Sequence, residues 1–220
     1  MAGVDRGRIE AAVREILEAI GEDPGRDGLE ATPSRVAEAY SEFFSGVGED
    51  AAVHLERTIP VGDHGDGDER TSEAVLMRDI TFRSVCEHHL LPFIGVAHIA
   101  YLPAEKVIGL GALPRVVETL AARPQVQERL TEQIADAIDD GLAPRGVLVV
   151  LDAVHGCVTT RGPRQTASST VTFASRGELR DPVARAELFA LLGTPAAAAP
   201  PAAVAPPTVA SSVDDASPGR

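Results

Sequence analysis

The run GVLVVLDAV, residues 146–154, is the segment that most narrows the possible folds: it is short, β-branched and almost continuously apolar. A strand of this kind has no polar face to offer water, so it predicts a buried position within a sheet. SSTVTFAS, residues 168–175, alternates as another strand, and two extended stretches come earlier, an apolar alternation from Ala74 to Phe82 and the run FIGVAHIAYLP. Between the two pairs, Leu113, Val116, Val117 and Leu120 recur at helical spacing. A second helix is predicted from Pro124, carrying Val126, Leu130, Ile134 and Ile138 as far as Gly141. Four strands around two central helices make an α+β domain.

In front of this domain, Ile9, Val13, Ile16, Leu17 and Ile20 predict an amphipathic helix that stops at Gly21. Thr32 and Pro33 read as the N-cap and first residue of a second helix, with Val36, Ala37, Tyr40, Phe43 and Phe44 on its buried side. GDHGDGDERTS, residues 62–72, lacks the oxygen-ligand spacing of a calcium loop and is expected to be a solvated loop. From Gly193 the composition turns to alanine, proline and serine, without the bulky residues that offset ordering entropy, and a disordered tail is expected. The chain therefore divides into an N-terminal helical extension (1–50), a central α+β domain (51–192) and a tail (193–220). No repeat of solenoid or propeller period is evident.

Charge excludes several partners. With 33 acidic against 20 basic residues the net charge is -13, which argues against a general affinity for nucleic acid or anionic membranes. An anionic ligand would need a local basic pocket. There is no run of about 18 apolar residues, and the N-terminal segment MAGVDRGRIEAAVREI, which carries acidic residues and no uninterrupted apolar run, does not read as a signal peptide, so a cytoplasmic location is expected.

Both cysteines and three of the six histidines fall in two short segments, CEHH and HGC: Cys86, His88, His89, His155 and Cys157. Cys86-x-x-His89 lets one turn offer a thiolate and an imidazole to one ion, and His155 and Cys157 stand two apart at the end of a strand. A transition metal, zinc above all, suits such a set. The same residues also read as small buried cysteines with ordinary histidines, or as one disulfide. If a metal is bound, five candidates exceed the three protein ligands of a catalytic zinc site, which frees histidines for proton transfer near neutral pH.

The stretches SVCEHHLLPFIGVAHIAYLP, VIGLGALPRVV, ARPQVQERLTEQIADAI and LDAVHGCVTTRG closely resemble GTP cyclohydrolase I. GEDPGRDGLEATPSRVAEAY in front and SSTVT behind extend the likeness to about residues 9–180. The resemblance implies the tunnelling fold, assembled into a toroidal homo-oligomer, a decamer in this family, with active sites between subunits. It implies Cys86, His89 and Cys157 as ligands of Zn2+ and His88 and His155 as the acid/base pair. Glu128 would accept the N1 and 2-amino edge of guanine, Gln127 would be a polar residue of the pocket, and Arg35, Arg115 and Arg161 would meet the triphosphate. Arg129, beside Glu128, reads as a solvated surface charge. The implied reaction is hydrolysis of GTP at C8 by zinc-activated water, ring opening with loss of formate, ribose rearrangement and closure to 7,8-dihydroneopterin triphosphate.

The chain departs from the family pattern at two cationic positions. Gly111 and Ala112 stand where the family usually has Ser-Lys, and Glu38 occupies a second basic position. At about 1.5–3 kcal/mol per charge-assisted hydrogen bond, two lost cations would weaken triphosphate binding by roughly two to four powers of ten unless Arg164 or Lys106 compensates. A paralogue that opens the ring of a less phosphorylated guanine compound is the alternative enzyme. A non-catalytic oligomer that binds zinc or nucleotide is the alternative outside catalysis.

Overall fold

The computed structural model describes residues 3–61 and 73–193. The expected loop at 62–72 and the Ala/Pro-rich tail after Gly193 lie outside them. In chain order the elements are α1 (Arg6–Ala19), α2 (Thr32–Phe43), β1 (Thr58–Pro60), β2 (Val75–Cys86), β3 (Pro92–Leu102), β4 (Lys106–Ile108), α3 (Ala112–Ala121), β5 (Pro124–Gln125), α4 (Gln127–Leu142), β6 (Gly146–His155), α5 (Gly156–Thr159), β7 (Thr170–Gly177) and α6 (Pro182–Leu192). The architecture is α+β. A sheet in the order β5-β2-β3-β6-β7 is antiparallel except for the parallel pair β2 and β5, while β1 and β4 form a separate antiparallel ribbon.

The position of β6 explains its unbroken apolar sequence. Val147, Val149, Leu151 and Ala153 point to one face and join the main core; Leu148 and Val150 point to the other and pack with Ala100, Leu179 and Leu188. On the first face lie α3, through Leu113, Val116, Val117 and Leu120, and α4, through Leu130, Ile134, Ile138 and Leu142. These are helical stripes meeting alternating strand residues, which is how two periodicities share one core. Part of the second face is covered by α6, whose start at Asp181-Pro182 is secured by the Asp181 carboxylate, accepting from the backbone N–H of Val183 (2.7 Å) and Ala184 (3.2 Å).

Several sequence expectations require correction. Pro124 does not begin a helix: Pro124 and Gln125 pair in parallel with Val85 and Cys86, Val126 stays extended, and α4 starts at Gln127. Thr32 is the first helical residue instead of the cap, a place taken by Ala31 without a side-chain bond. In α1, Val13 and Leu17 are buried, but Ile16 and Ile20 remain 58% and 68% exposed, so the helix covers only half of its stripe against α2.

One irregularity of β2 depends on a partly buried histidine. The pairing of β2 with β3 shifts between Met77 and Ile80, Asp79 takes a left-handed φ of 59°, and its backbone N–H donates to His98 Nδ1 at 3.1 Å. Burial pushes the His98 pKa below its ordinary 6.5; the guanidinium of Arg78 acts in the same direction, while Asp79 and Asp152 oppose it. Since the folded ring resists a proton that the unfolded chain accepts, its contribution to stability is full above about pH 6.5 and lost as pH falls below that value. His98→Asn, which keeps an acceptor near the Nδ1 position, is expected to flatten that loss. Urea midpoints of the two proteins at neutral and mildly acid pH check this; parallel curves would contradict it.

Candidate metal centre and surrounding site

The two cysteines approach through sheet register. β2 ends at Cys86, and a tight turn closed by Leu90 N–H to Cys86 O (2.8 Å) and Cys86 N–H to Leu91 O (2.9 Å) returns the chain into β3, with Leu90 at a left-handed φ of 51°. Phe93 of β3 stands opposite His155, the last residue of β6. The next turn, α5, carries Cys157. Its first residue, Gly156, passes so close to β3 that a Cβ there would meet Pro92 O at 2.8 Å. Only glycine fits there without a backbone shift, and the approach brings Cys157 over to the β2 end.

One ligand atom each from Cys86, His89 and Cys157 lie within 4.8 Å of one another, and Cys86 Sγ is 3.9 Å from His89 Nδ1. Zinc bonds of about 2.3 Å to sulfur and 2.0–2.1 Å to nitrogen, at tetrahedral angles, would separate ligand atoms by about 3.5–3.8 Å. The donor set and its spacing therefore fit an ion of this kind. Both thiols are free. Burial and the adjacent Cys86 sulfur raise the Cys157 pKa, with Arg161 pulling the other way. A cation between the sulfurs would reverse that balance, since thiolate is the ligating form.

His155 sits beside this group. Its ring stacks on Phe93 with centroids 4.7 Å apart and planes 5° from parallel, and its Nε2 is 2.6 Å from Gln127 Oε1. Burial lowers its pKa below 6.5, with Glu128 acting in the opposite direction, so a substantial share of the ring is neutral near pH 7. Glu128 is exposed on the first turn of α4, close enough to His155 for that effect. His88 points outward, with its Nε2 3.9 Å from Glu87 Oε1.

The remaining expected residues divide. Arg161 is exposed on the loop after α5 and near enough to bias the Cys157 thiol. Arg164, also exposed, sits on the same turn, its N–H donating to Arg161 O at 3.3 Å. Arg115 lines a shallow cleft with Gly46, His54, Glu118 and Thr119, and Arg35 is exposed on α2. Lys106 is already engaged, its ammonium donating to Gly141 O at 3.2 Å, which weakens it as a substitute phosphate cation. Gln127, expected at the pocket, is only 1% exposed, with its amide bonded inward.

Two features escaped the sequence reading. Arg129 is no idle surface charge: it forks onto Glu87 at 2.6 and 3.0 Å, tying the first turn of α4 to the CEHH turn and lowering the Glu87 pKa. Gln125 is buried and donates to Leu120 O (2.9 Å), while its backbone O accepts from Glu87 N–H (2.9 Å). Neither has a sequence signature, because each depends on the two-residue strand β5.

Comparison with known proteins adds a lineage to this geometry. The sequence profile of the family described as GTP cyclohydrolase I matches residues 9–193. A protein named GTP cyclohydrolase 1 from Leifsonia xyli subsp. xyli is 66% identical over 197 residues, covering 90% of this chain and 100% of that one. Proteins of the same name from Rhodopirellula baltica and Carboxydothermus hydrogenoformans are 54% and 55% identical, each across 86% of this chain and over 80% and 96% of their own lengths. A solved archaeosine synthase QueF-Like structure in the apo form aligns with 49% of this chain and 97% of its own at 13% identity and a TM-score of 0.39, too slight a likeness to bear on the fold.

Proposed function

This chain belongs to the GTP cyclohydrolase I family and has that family's activity, and on that premise we propose how its own residues divide the work. The observation that carries the proposal is the meeting of Cys86, His89 and Cys157 with His155 at the ends of β2 and β6. Cys86, His89 and Cys157 would hold Zn2+. When bound, zinc supplies a Lewis acid and brings the pKa of water into the neutral range.

Glu128 holds the guanine by its N1–H and 2-amino edge, a pair of parallel hydrogen bonds to one carboxylate. With the base so oriented, its imidazole edge faces His155 and the cysteine pair. Water adds at C8 and His155 gives a proton to the departing imidazole nitrogen as the first C8–N bond breaks, leaving a formamide; a second water cleaves the remaining C8–N bond and formate leaves. His88, more exposed, serves the later proton transfers of ribose rearrangement and closure to 7,8-dihydroneopterin triphosphate. Arg161 meets the triphosphate, and Arg164 on the same turn takes over part of the charge absent at Ala112 and Glu38. Arg35 and Arg115 complete the phosphate site. We place this reaction in the cytoplasm; among the described residues no helix is long and apolar enough to cross a membrane.

The same reading makes the protein a toroidal homo-oligomer of the tunnelling fold, a decamer with sites between subunits. Ile94, Val154, Val171 and Phe173, each 45–60% exposed and on one face of the sheet by register, support association. A chain that sediments as a monomer would contradict it. The catalytic test is incubation of zinc-loaded protein with GTP, following formate and pterin absorbance together. Replacing Arg161 by alanine is expected to lower kcat/KM for GTP by about 10–100-fold, at about 1.5–3 kcal/mol for one lost charge-assisted bond, and to leave turnover of guanosine unchanged. Equal losses on both substrates would remove this arginine from the phosphate site. A wild-type preference for GDP, GMP or guanosine over GTP would favour the alternative enzyme.

A further inference from the structure

We propose that Gln127 is a positioning residue that locks His155 in its Nε2–H tautomer, leaving Nδ1 as the nitrogen that takes and returns protons. The proposal rests on the acid/base role of His155 given above. Its basis is a buried hydrogen-bond chain in which the direction of each link follows from the next. Gln127 and Thr131 are each 1% exposed, so their polar groups depend on protein partners. The Thr131 hydroxyl donates to Gln127 O at 2.7 Å. It lies 2.6 Å from the Thr172 hydroxyl, and since its proton is already committed, Thr172 is the donor of that pair. Thr172 Oγ1 is thereby left to accept, and Gln127 Nε2 donates to it at 3.1 Å.

The same nitrogen faces Thr170 O at 2.8 Å and Leu151 O at 3.2 Å, two carbonyls with nothing to donate. Turning the amide over would set its oxygen against both of them and against a hydroxyl whose proton is spent elsewhere. The amide orientation is thus fixed by three acceptors. Gln127 Oε1 then lies 2.6 Å from His155 Nε2, and an amide oxygen can only accept. His155 must donate from Nε2, in the neutral ring as well as the charged one, and the stack on Phe93 holds the ring plane. A histidine oriented through one nitrogen works through the other, as in oriented acid/base pairs generally. This also accounts for a glutamine buried beside a site where the sequence had suggested substrate contact.

The test uses the full chain supplied with zinc and carrying isotope-labelled histidine. In its nitrogen spectrum at a pH where the ring is neutral, the His155 signals, identified by their loss in His155→Asn, are expected to show a protonated Nε2 and a bare Nδ1. A protonated Nδ1 overturns the proposal without need of any Gln127 variant. Gln127→Met is expected to lower kcat by about 10–100-fold with KM for GTP unchanged. A raised KM with kcat intact would make Gln127 a substrate contact and overturn the positioning role. Wild-type turnover in His155→Asn would sink the acid/base reading itself, an outcome that the ring spectrum does not share.

Discussion

Serine in place of Cys157 is expected to cut formate release from GTP by about a thousandfold and to lower the zinc retained per chain, with the far-UV spectrum unchanged. The size follows from the several kcal/mol that a Lewis acid supplies to a hydrolytic transition state, each 1.4 kcal/mol being tenfold. The loss should fall on the ion rather than on the fold, because Cys157 lies in the short turn α5 and only abuts the main core. Serine offers a neutral hydroxyl at neutral pH where the site requires an anionic sulfur. Full turnover by a zinc-free Cys157→Ser protein would remove the metal from the reaction.

Loss of His155 is expected to have the second largest effect, about 100- to 10,000-fold in formate release, the range for removing a general acid/base, with zinc content at the wild-type level. The contrast in metal content is the informative part, since His155 and Cys157 are two residues apart yet are assigned different tasks. Alanine at 155 also strands Gln127 Oε1, so some loss of stability accompanies the loss of rate. The double variant Cys157→Ser/His155→Ala should be little worse than the poorer single one, because residues that act as a unit are not additive. Additive losses would mean that the two serve separate steps. A His155→Ala protein at the wild-type rate would return the acid role to His88.

Much of this fold was legible in the sequence wherever the periodicity was long. β6, α3 and α4 each bury a continuous stripe, and Leu130, Ile134 and Ile138 lie in the core as their spacing requires. β5 was not legible, because two residues have no period; its strand geometry comes from Val85 and Cys86 alongside, a tertiary influence that outweighs the helical signal of Pro124. α6 went unread although Asp181-Pro182 is a cap signal, since its apolar residues follow no clear stripe. At the site, the Cys/His set could be found by residue type. Arg129 and Gln127 could not: one reads as surface charge until Glu87 is beside it, the other as a pocket residue until its amide is seen to be enclosed.

The alignment of Val85 with Pro92 and of Phe93 with His155 has a further consequence. A slip of one residue in either pairing would turn the affected side chains to the opposite face of the sheet. In a chain misaligned by that single step, His155 leaves Phe93 and the sulfurs part company, so no ion is held. An ion that binds only the correctly paired state adds its binding free energy to that state alone. Zinc would then act as a proofreader of strand alignment during folding, selecting the one pairing in which the catalyst exists.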